Sequence, residues 1–434
     1  MKPVHLLAAL CLIAPPVLPA AAQTPPPVAA VVQPAPAMVQ QAEKLPAIIN
    51  GTGDYESYFA SAFKTQIPRA QFDQIGVQLK AQFGAAIKVE KIIAASPYQA
   101  TVLIGFERGI GTIDIVVDSA LPHPVTGLRF AKVEPRDDSV EKVEADLRAL
   151  PGTTAFGIYA LGDAATPVSE LRGDQPMPIG SAFKLWVLAE AARQVNSGAR
   201  KWSDIVTLGP RSLPSGVTQS WPKDAPVTLH TLATLMISIS DNTATDTLLT
   251  ALGRERVDAM VTATGVANPA ATLPVLTTIE AFRLKSSGNA DIAAAWKAAG
   301  ADGRRRLLRD NATRLGKTQV DPAIFGDKPV GPDVEWFASA RDEAAVLNWL
   351  RTRGGQRALD ILAVNPGLPS ATQFDYAGFK GGSEPGVIFG SWLVRTKQGN
   401  WFAVTGGWNR PDGAVDQTVF INLMNRLLSQ LAAR

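Results

Sequence analysis

The chain has 434 residues, long enough for two domains, and its 42 basic residues nearly balance 39 acidic ones. No basic stretch stands out from this near-neutral background, which argues against a nucleic-acid partner. One cysteine and three histidines are too few for a Cys-based or His-rich metal site or a Ser-His-Asp triad, so no metal and no cofactor is expected.

In chain order, Met1-Lys2-Pro3 and an apolar run to Leu18 end in Pro19-Ala20-Ala21-Ala22. A charged start, a short hydrophobic stretch and small closing residues predict a secretory signal peptide over 1–22, too short to span a bilayer comfortably. The expected location is secreted or periplasmic, with no stable membrane span. Cys11 lies in this segment, and Leu10 before it is not the small residue that lipidation needs. Residues 23–46, rich in Pro, Ala and Val, read as an extended linker.

A small first domain is expected over 47–138. Phe59, Phe63 and Ile67, then Phe72, Ile75 and Leu79, give two short amphipathic helices. Residues 89–94, 100–106, 112–118 and 128–133 alternate or run apolar as strands. Helices followed by a curved antiparallel sheet make an α+β unit. Glu107, Asp114 and His123 read as strand-edge and loop residues rather than as a second site.

A second domain is expected over 139–434. A charged helix over 139–150 leads to a strand at 154–161 and a more polar one near 168–172. Gly180-Ser181-Ala182-Phe183-Lys184 then runs into an apolar helix over 183–195. Residues i and i+3 share a helix face, which puts Ser181 in the first turn with Lys184 directly behind it. A lysine removed from water has a lowered pKa and can accept the proton of a serine hydroxyl. First-turn N–H groups favour the negative charge that develops during attack. Ser-x-x-Lys also occurs at Ser61–Lys64, Ser139–Lys142 and Ser220–Lys223, so the tetrapeptide alone selects nothing.

Residues 202–227 read as loop and 228–239 as a helix. Ser240-Asp241-Asn242 interrupts it before another helix resumes at Thr243, which Asp241 is placed to cap. Residues 281–350 are mostly helical, with the basic run 304–306 on a solvated face. Three strands follow at 375–382, 387–396 and 400–407, the first carrying Lys380-Gly381-Gly382-Ser383. A helix over 417–431 closes the chain.

These three elements, in this order and context, resemble the Ser-x-x-Lys, Ser-Asp-Asn and Lys-Thr/Ser-Gly signatures of the class A β-lactamase and penicillin-binding-protein superfamily. The resemblance covers roughly residues 140–434. It implies an α+β, β-lactamase/transpeptidase-like fold with an antiparallel sheet plus an all-helical subdomain. The first domain resembles the NTF2/ketosteroid-isomerase-like α+β fold. Together they resemble a branch that includes the serine hydrolase of clavulanic-acid gene clusters and a mycobacterial lipoprotein family.

By this resemblance Ser181 is the nucleophile, Lys184 its proton acceptor and Ser240 the relay to the leaving group. Asn242 holds the substrate amide and Lys184, and Lys380 binds a substrate carboxylate. Gly382 and Ser383 complete the third motif, with the Ser181 and Ser383 backbone N–H groups as oxyanion hole. The expected partner is a small-molecule β-lactam, ester or peptide, hydrolysed through a Ser181 acyl-enzyme. The alternatives are an acylatable penicillin-binding sensor with little turnover, or an esterase or D-alanyl peptidase.

Two departures stand out. Gly381 replaces the usual Thr or Ser, removing a hydroxyl that helps bind the carboxylate. The Glu-x-x-Leu-Asn loop that positions the deacylating water in class A enzymes has no counterpart, and Glu280 reads as a helix start. The interval between the second and third motifs is long, which places residues 286–332 as a rim or cover of the pocket. Glu335-Trp336-Phe337 follows it as an aromatic packing element within reach of the site.

Overall fold

The computed structural model describes residues 32–432, apart from 137, 213 and 368–372. The expected signal segment, with Cys11, and residues 23–31 lie outside the described residues.

The first unit is α1 (Pro36–Ile49), α2 (Tyr55–Tyr58), α3 (Ser61–Gln66) and α4 (Arg69–Phe83), then strands β1 (Ala86–Ser96), β2 (Gln99–Phe106), β3 (Gly109–Val117) and β4 (Val125–Pro135). The strands form an antiparallel meander in sequence order. The extended linker expected to reach residue 46 is wrong from Pro36 onward, because α1 begins there. Met38, Ala42, Leu45 and Ile49 recur at helical spacing and are buried in the core of this unit. Pro36 at the first helical position and Pro46 in the last turn obscure that stripe without preventing the helix. Asp114 pairs with Arg129 on a strand face, and the His123 ring bonds the Asp118 carbonyl nearby.

The second unit opens with α5 (Val140–Ala149), β5 (Thr153–Leu161), β6 (Ala165–Leu171) and β7 (Met177–Pro178). A 3-10 turn, Gly180–Phe183, leads into α6 (Lys184–Asn196). Residues 202–227, read as loop, contain most of a small ribbon, β8 (Ile205–Thr207) with β9 (Pro226–Thr228). Next come α7 (Leu229–Ser238), α8 (Asn242–Leu252), α9 (Arg254–Ala263), α10 (Thr278–Lys285), α11 (Ala290–Ala298), α12 (Ala301–Asp310) and α13 (Ala312–Lys317). The chain ends with β10 (Phe337–Ala338), α14 (Ala340–Arg353), α15 (Gly355–Leu362), β11 (Tyr376–Glu384), β12 (Val387–Arg395), β13 (Trp401–Asn409) and α16 (Gln417–Ala432).

Five strands form one antiparallel sheet in the order β11-β12-β13-β5-β6. Side chains alternate across it with period two, so each face has its own core. On β12, Leu393 packs with the helical layer, while Trp392 and Val394 face α5 and α16. Helix α6 runs through the helical layer and is buried on nearly every side. Its Leu, Trp, Val and Ala residues bury most of the surface, and the polar strip of Glu190, Arg193 and Gln194 is joined by its own hydrogen bonds. The basic run on α12 is not simply solvated. Arg304 lies over the Trp296 ring and bonds the Ala271 carbonyl, and Arg305 pairs with Asp258.

Arg426 of α16 fastens the outer layer. Its guanidinium binds Asp138 at 2.7 Å and Asp146 at 2.6 Å, and the Arg426 and Asp138 side chains are each only 3% exposed. Removing one partner of a buried pair leaves the other charge without compensation. Arg426→Ala is therefore expected to lower the free energy of unfolding by about 3–5 kcal/mol, read as a lower urea midpoint at unchanged slope. A midpoint within error of wild type contradicts this role.

Candidate active site

Ser181 sits in the 3-10 turn that ends β7 and starts α6, facing a cavity of about 740 Å³. Two glycines allow the turn to meet β11. Gly180 has φ +49°, a left-handed value that favours glycine. A Cβ at Gly382 would lie 2.1 Å from the Ile179 carbonyl oxygen and 2.4 Å from the Ser181 amide nitrogen. No side chain fits there. The backbone of β11 therefore lies against the turn, and the amides of Ser181 and Ser383 flank one close contact.

Lys184 begins α6 and is fully buried. Its Nζ lies 2.7 Å from the Ser240 carbonyl oxygen, 3.0 Å from Ser240 Oγ and 2.8 Å from Asn242 Oδ1. Burial, with the nearby Lys380 charge second, holds this amine well below the ordinary lysine range. A neutral amine has two N–H groups, which suit the carbonyl and the amide oxygen. Its lone pair is left to accept a hydroxyl proton.

Ser240 and Asn242 come from the break between α7 and α8. Ser240 has φ +58°, an uncommon value for a residue with a side chain. Asp241 holds that conformation in place. Its carboxylate accepts from Ala244 N, capping α8, and from Val217 N, Thr218 N and Thr218 Oγ1 of the facing loop. The capping role expected for Asp241 is what the structure contains.

Lys380 approaches Ser240 from the other side. Its Nζ lies 3.1 Å from Ser240 Oγ and also bonds the Gly381 carbonyl. Burial pushes this ammonium down to about 7, with Glu343 of α14 pulling the other way. Glu343 accepts from Ser391 Oγ at 2.7 Å, on the sheet face that also carries Lys380, and burial pushes its own carboxyl up to about 8. The Ser240 hydroxyl thus stands between two amines that both titrate low.

The residues named from the sequence converge. Ser181, Ser240, Asn242, Lys380, Gly382 and Ser383 line one cavity, with Lys184 directly behind it. The other Ser-x-x-Lys pairs do other work: Lys64 pairs with Glu56, Ser139 caps α5 and Lys223 is exposed beside Asp224. Where Gly381 lacks a hydroxyl, the Phe379 ring takes the space, since a Cβ there would meet its Cζ at 2.7 Å. Phe325 and Asp327, in the long interval, do line the cavity. Glu280 completes a capping box with Thr277 and accepts from Arg254 Nη2 on both carboxylate oxygens, a structural assignment.

Glu335 and Trp336, read from the sequence as within reach of the site, do lie beside it, whereas the roles of Lys285, Asp246 and Thr278 had no signal in the sequence. Lys285 is buried between Glu335 and Glu384, and Glu384 lines the cavity. Burial and the adjacent Glu384 raise the Glu335 carboxyl. Trp336 stacks on Phe183 with ring centroids 4.1 Å apart, fixing the turn that carries Ser181. Asp246 on α8 and Thr278 at the start of α10 are joined by hydrogen bonds beside Lys184. None of these pairs is close in sequence, and no periodicity marks them.

Residues 138–302 match the model of the Beta-lactamase enzyme family. No curated protein sequence matches the chain. Among solved structures, the chain is similar to a beta-lactamase from Sphaerobacter thermophilus, at 21% identity over 68% of this chain and 97% of that one, TM-score 0.48. It is also similar to a beta-lactamase from Chitinophaga pinensis, at 16% identity over 67% and 98%, TM-score 0.46. A third is PBP-A, at 18% identity over 67% and 94%, TM-score 0.46. The family match and the antiparallel sheet with its helical layer give the second unit a β-lactamase-like α+β fold.

Proposed function

We propose that this protein is a secreted serine hydrolase that cleaves a β-lactam or a related amide or ester through an acyl-enzyme on Ser181. The observation that carries this reading is the buried Lys184 amine, held within 3.0 Å of Ser240 Oγ and 2.8 Å of Asn242 Oδ1. In this reading the neutral amine takes the Ser181 proton as Oγ attacks the carbonyl carbon. The Ser181 and Ser383 N–H groups stabilise the oxyanion. The proton then passes from Lys184 through Ser240 Oγ to the leaving nitrogen or oxygen. Lys380 draws in a carboxylate on the substrate. The first unit is an NTF2/ketosteroid-isomerase-like domain in the same proposal, by analogy of its helices and four-stranded meander.

A second reading has one observation in its favour. Residues 264–277, between α9 and α10, contain no Asp or Glu, so that loop offers no carboxylate to activate the deacylating water. A protein that is acylated and stays acylated is a covalent sensor. Mass spectrometry after mixing with a fluorescent penicillin separates the two. Both readings give one acyl adduct on wild type and none on Ser181→Ala, but only the hydrolase loses the adduct with time. Labelling that survives Ser181→Ala contradicts both.

The two amines also set a pH dependence. Lys184 must be neutral and works above its depressed pKa. Lys380 must be charged to attract a carboxylate, and it loses its proton as pH rises through about 7. For carboxylate-bearing substrates, kcat/KM is expected to fall about tenfold per pH unit above that point. An uncharged ester should lack this alkaline limb. A limb shared by both substrates rules out Lys380 as its source.

A further inference from the structure

The sequence offers no glutamate in the place where class A enzymes keep one. Asp327 lines the cavity as an exposed loop carboxylate, and hydrogen bonds or ion pairs occupy Asp241 and the glutamates near it. Glu280 is held by Arg254 and Thr277, and Glu335 and Glu384 both bind Lys285. Glu343 bonds Ser391 and does not line the cavity, and Asp241 accepts four hydrogen bonds. Asp246 is hydrogen-bonded as well, but one of its donors is a hydroxyl that lines the cavity. It lies one turn after Asn242 on α8, so both side chains share a helix face. Asn242 meets Lys184 from that face, and Asp246 meets Thr278.

Thr278, though only 1% exposed, is the member of this pair that lines the same cavity as Ser181. Its Oγ1 lies 2.8 Å from Asp246 Oδ2 and 2.6 Å from Ser212 Oγ. With its proton directed to the carboxylate, the threonine oxygen accepts from Ser212 and keeps a second lone pair for a water in the cavity. Asp246 is held by the backbone N–H groups of Thr278 and Ile279 at 2.7 and 3.0 Å.

We infer that Thr278 and Asp246 form the proton relay that activates water for release of the acyl group from Ser181. The inference rests on the serine-hydrolase reading above. In this relay Thr278, which lines the cavity, takes the proton from the water, and Asp246 positions it and receives its proton. As the water oxygen bonds to the acyl carbon, a water proton moves to Thr278 Oγ1 and the threonine proton moves to Asp246 Oδ2. The carbonyl electrons become an oxyanion. Collapse of this adduct breaks the Ser181 Oγ–carbon bond, and the adduct's remaining hydroxyl proton returns to Ser181 through Lys184. The product leaves as a carboxylate, and Asp246 gives its proton to solvent. Burial pushes the Asp246 carboxyl up to about 6, opposed by its donors and by Lys184. A carboxyl in that range is ionised at neutral pH yet more basic than an exposed one.

The test follows one turnover of a chromogenic cephalosporin, with the acyl-enzyme counted by mass. Thr278→Val keeps the shape and removes the hydroxyl, and Thr278→Ser restores it. Thr278→Val is expected to acylate within about twofold of wild type and to lose the acyl group about 10²–10³-fold more slowly. Thr278→Ser is expected to recover most of that loss. Deacylation of Thr278→Val at the wild-type rate, or Thr278→Ser as slow as Thr278→Val, overturns the relay while leaving the nucleophile intact. Accumulation of acyl-enzyme in Glu384→Gln but not in Thr278→Val assigns the step elsewhere and also overturns it. A wild-type protein that acylates and never deacylates removes the relay, and one that never acylates removes the serine-hydrolase reading with it.

Discussion

The arrangement depends on one amine taken out of water. Lys184 is fully buried on a helix that is itself buried, and its neighbours are a carbonyl, a hydroxyl and an amide oxygen rather than a carboxylate. A lysine in such a place is stable only if it can give up its charge, because desolvating an ammonium without a counter-ion is costly. The nearest carboxylates that favour its charge, Asp246 and Asp241, are both occupied by other donors. The fold thus favours the basic, uncharged form of this amine far more than water does for an exposed lysine.

Much of the surrounding structure serves to keep that geometry. The left-handed Ser240 is held by Asp241, which also ties down the facing loop, where Gly216 at φ +111° leaves room for the carboxylate. The Ser181 turn is clamped between β11, through Gly382, and Trp336, through Phe183. Strain and close packing of this kind gather where a fold must present particular atoms. From α14, Glu343 modulates Lys380 without lining the cavity.

The motif residues were readable because each carries a local signal: a serine and lysine one turn apart, an Asp-Asn break between helices, and a lysine followed by two glycines in a strand. Their order along the chain supplied the resemblance, and the local periods supplied most strands and helices. Helix α1 was lost because its prolines outweighed a genuine helical stripe of Met38, Ala42, Leu45 and Ile49. The ion cluster of Lys285, Glu335 and Glu384, and the Asp246–Thr278 pair, were not readable at all. Their partners are 32 or more residues apart, and only the packing of α8, α10 and β11 brings them together.

The protonation state of Lys184 is the claim on which the rest stands, and NMR of protein carrying 13C-labelled lysine side chains measures it directly. The Lys184 resonance is identified by its loss in Lys184→Met. It is expected to titrate far below the usual lysine value of 10.5. A Lys184 resonance that stays charged through pH 7 and titrates with the surface lysines contradicts the account.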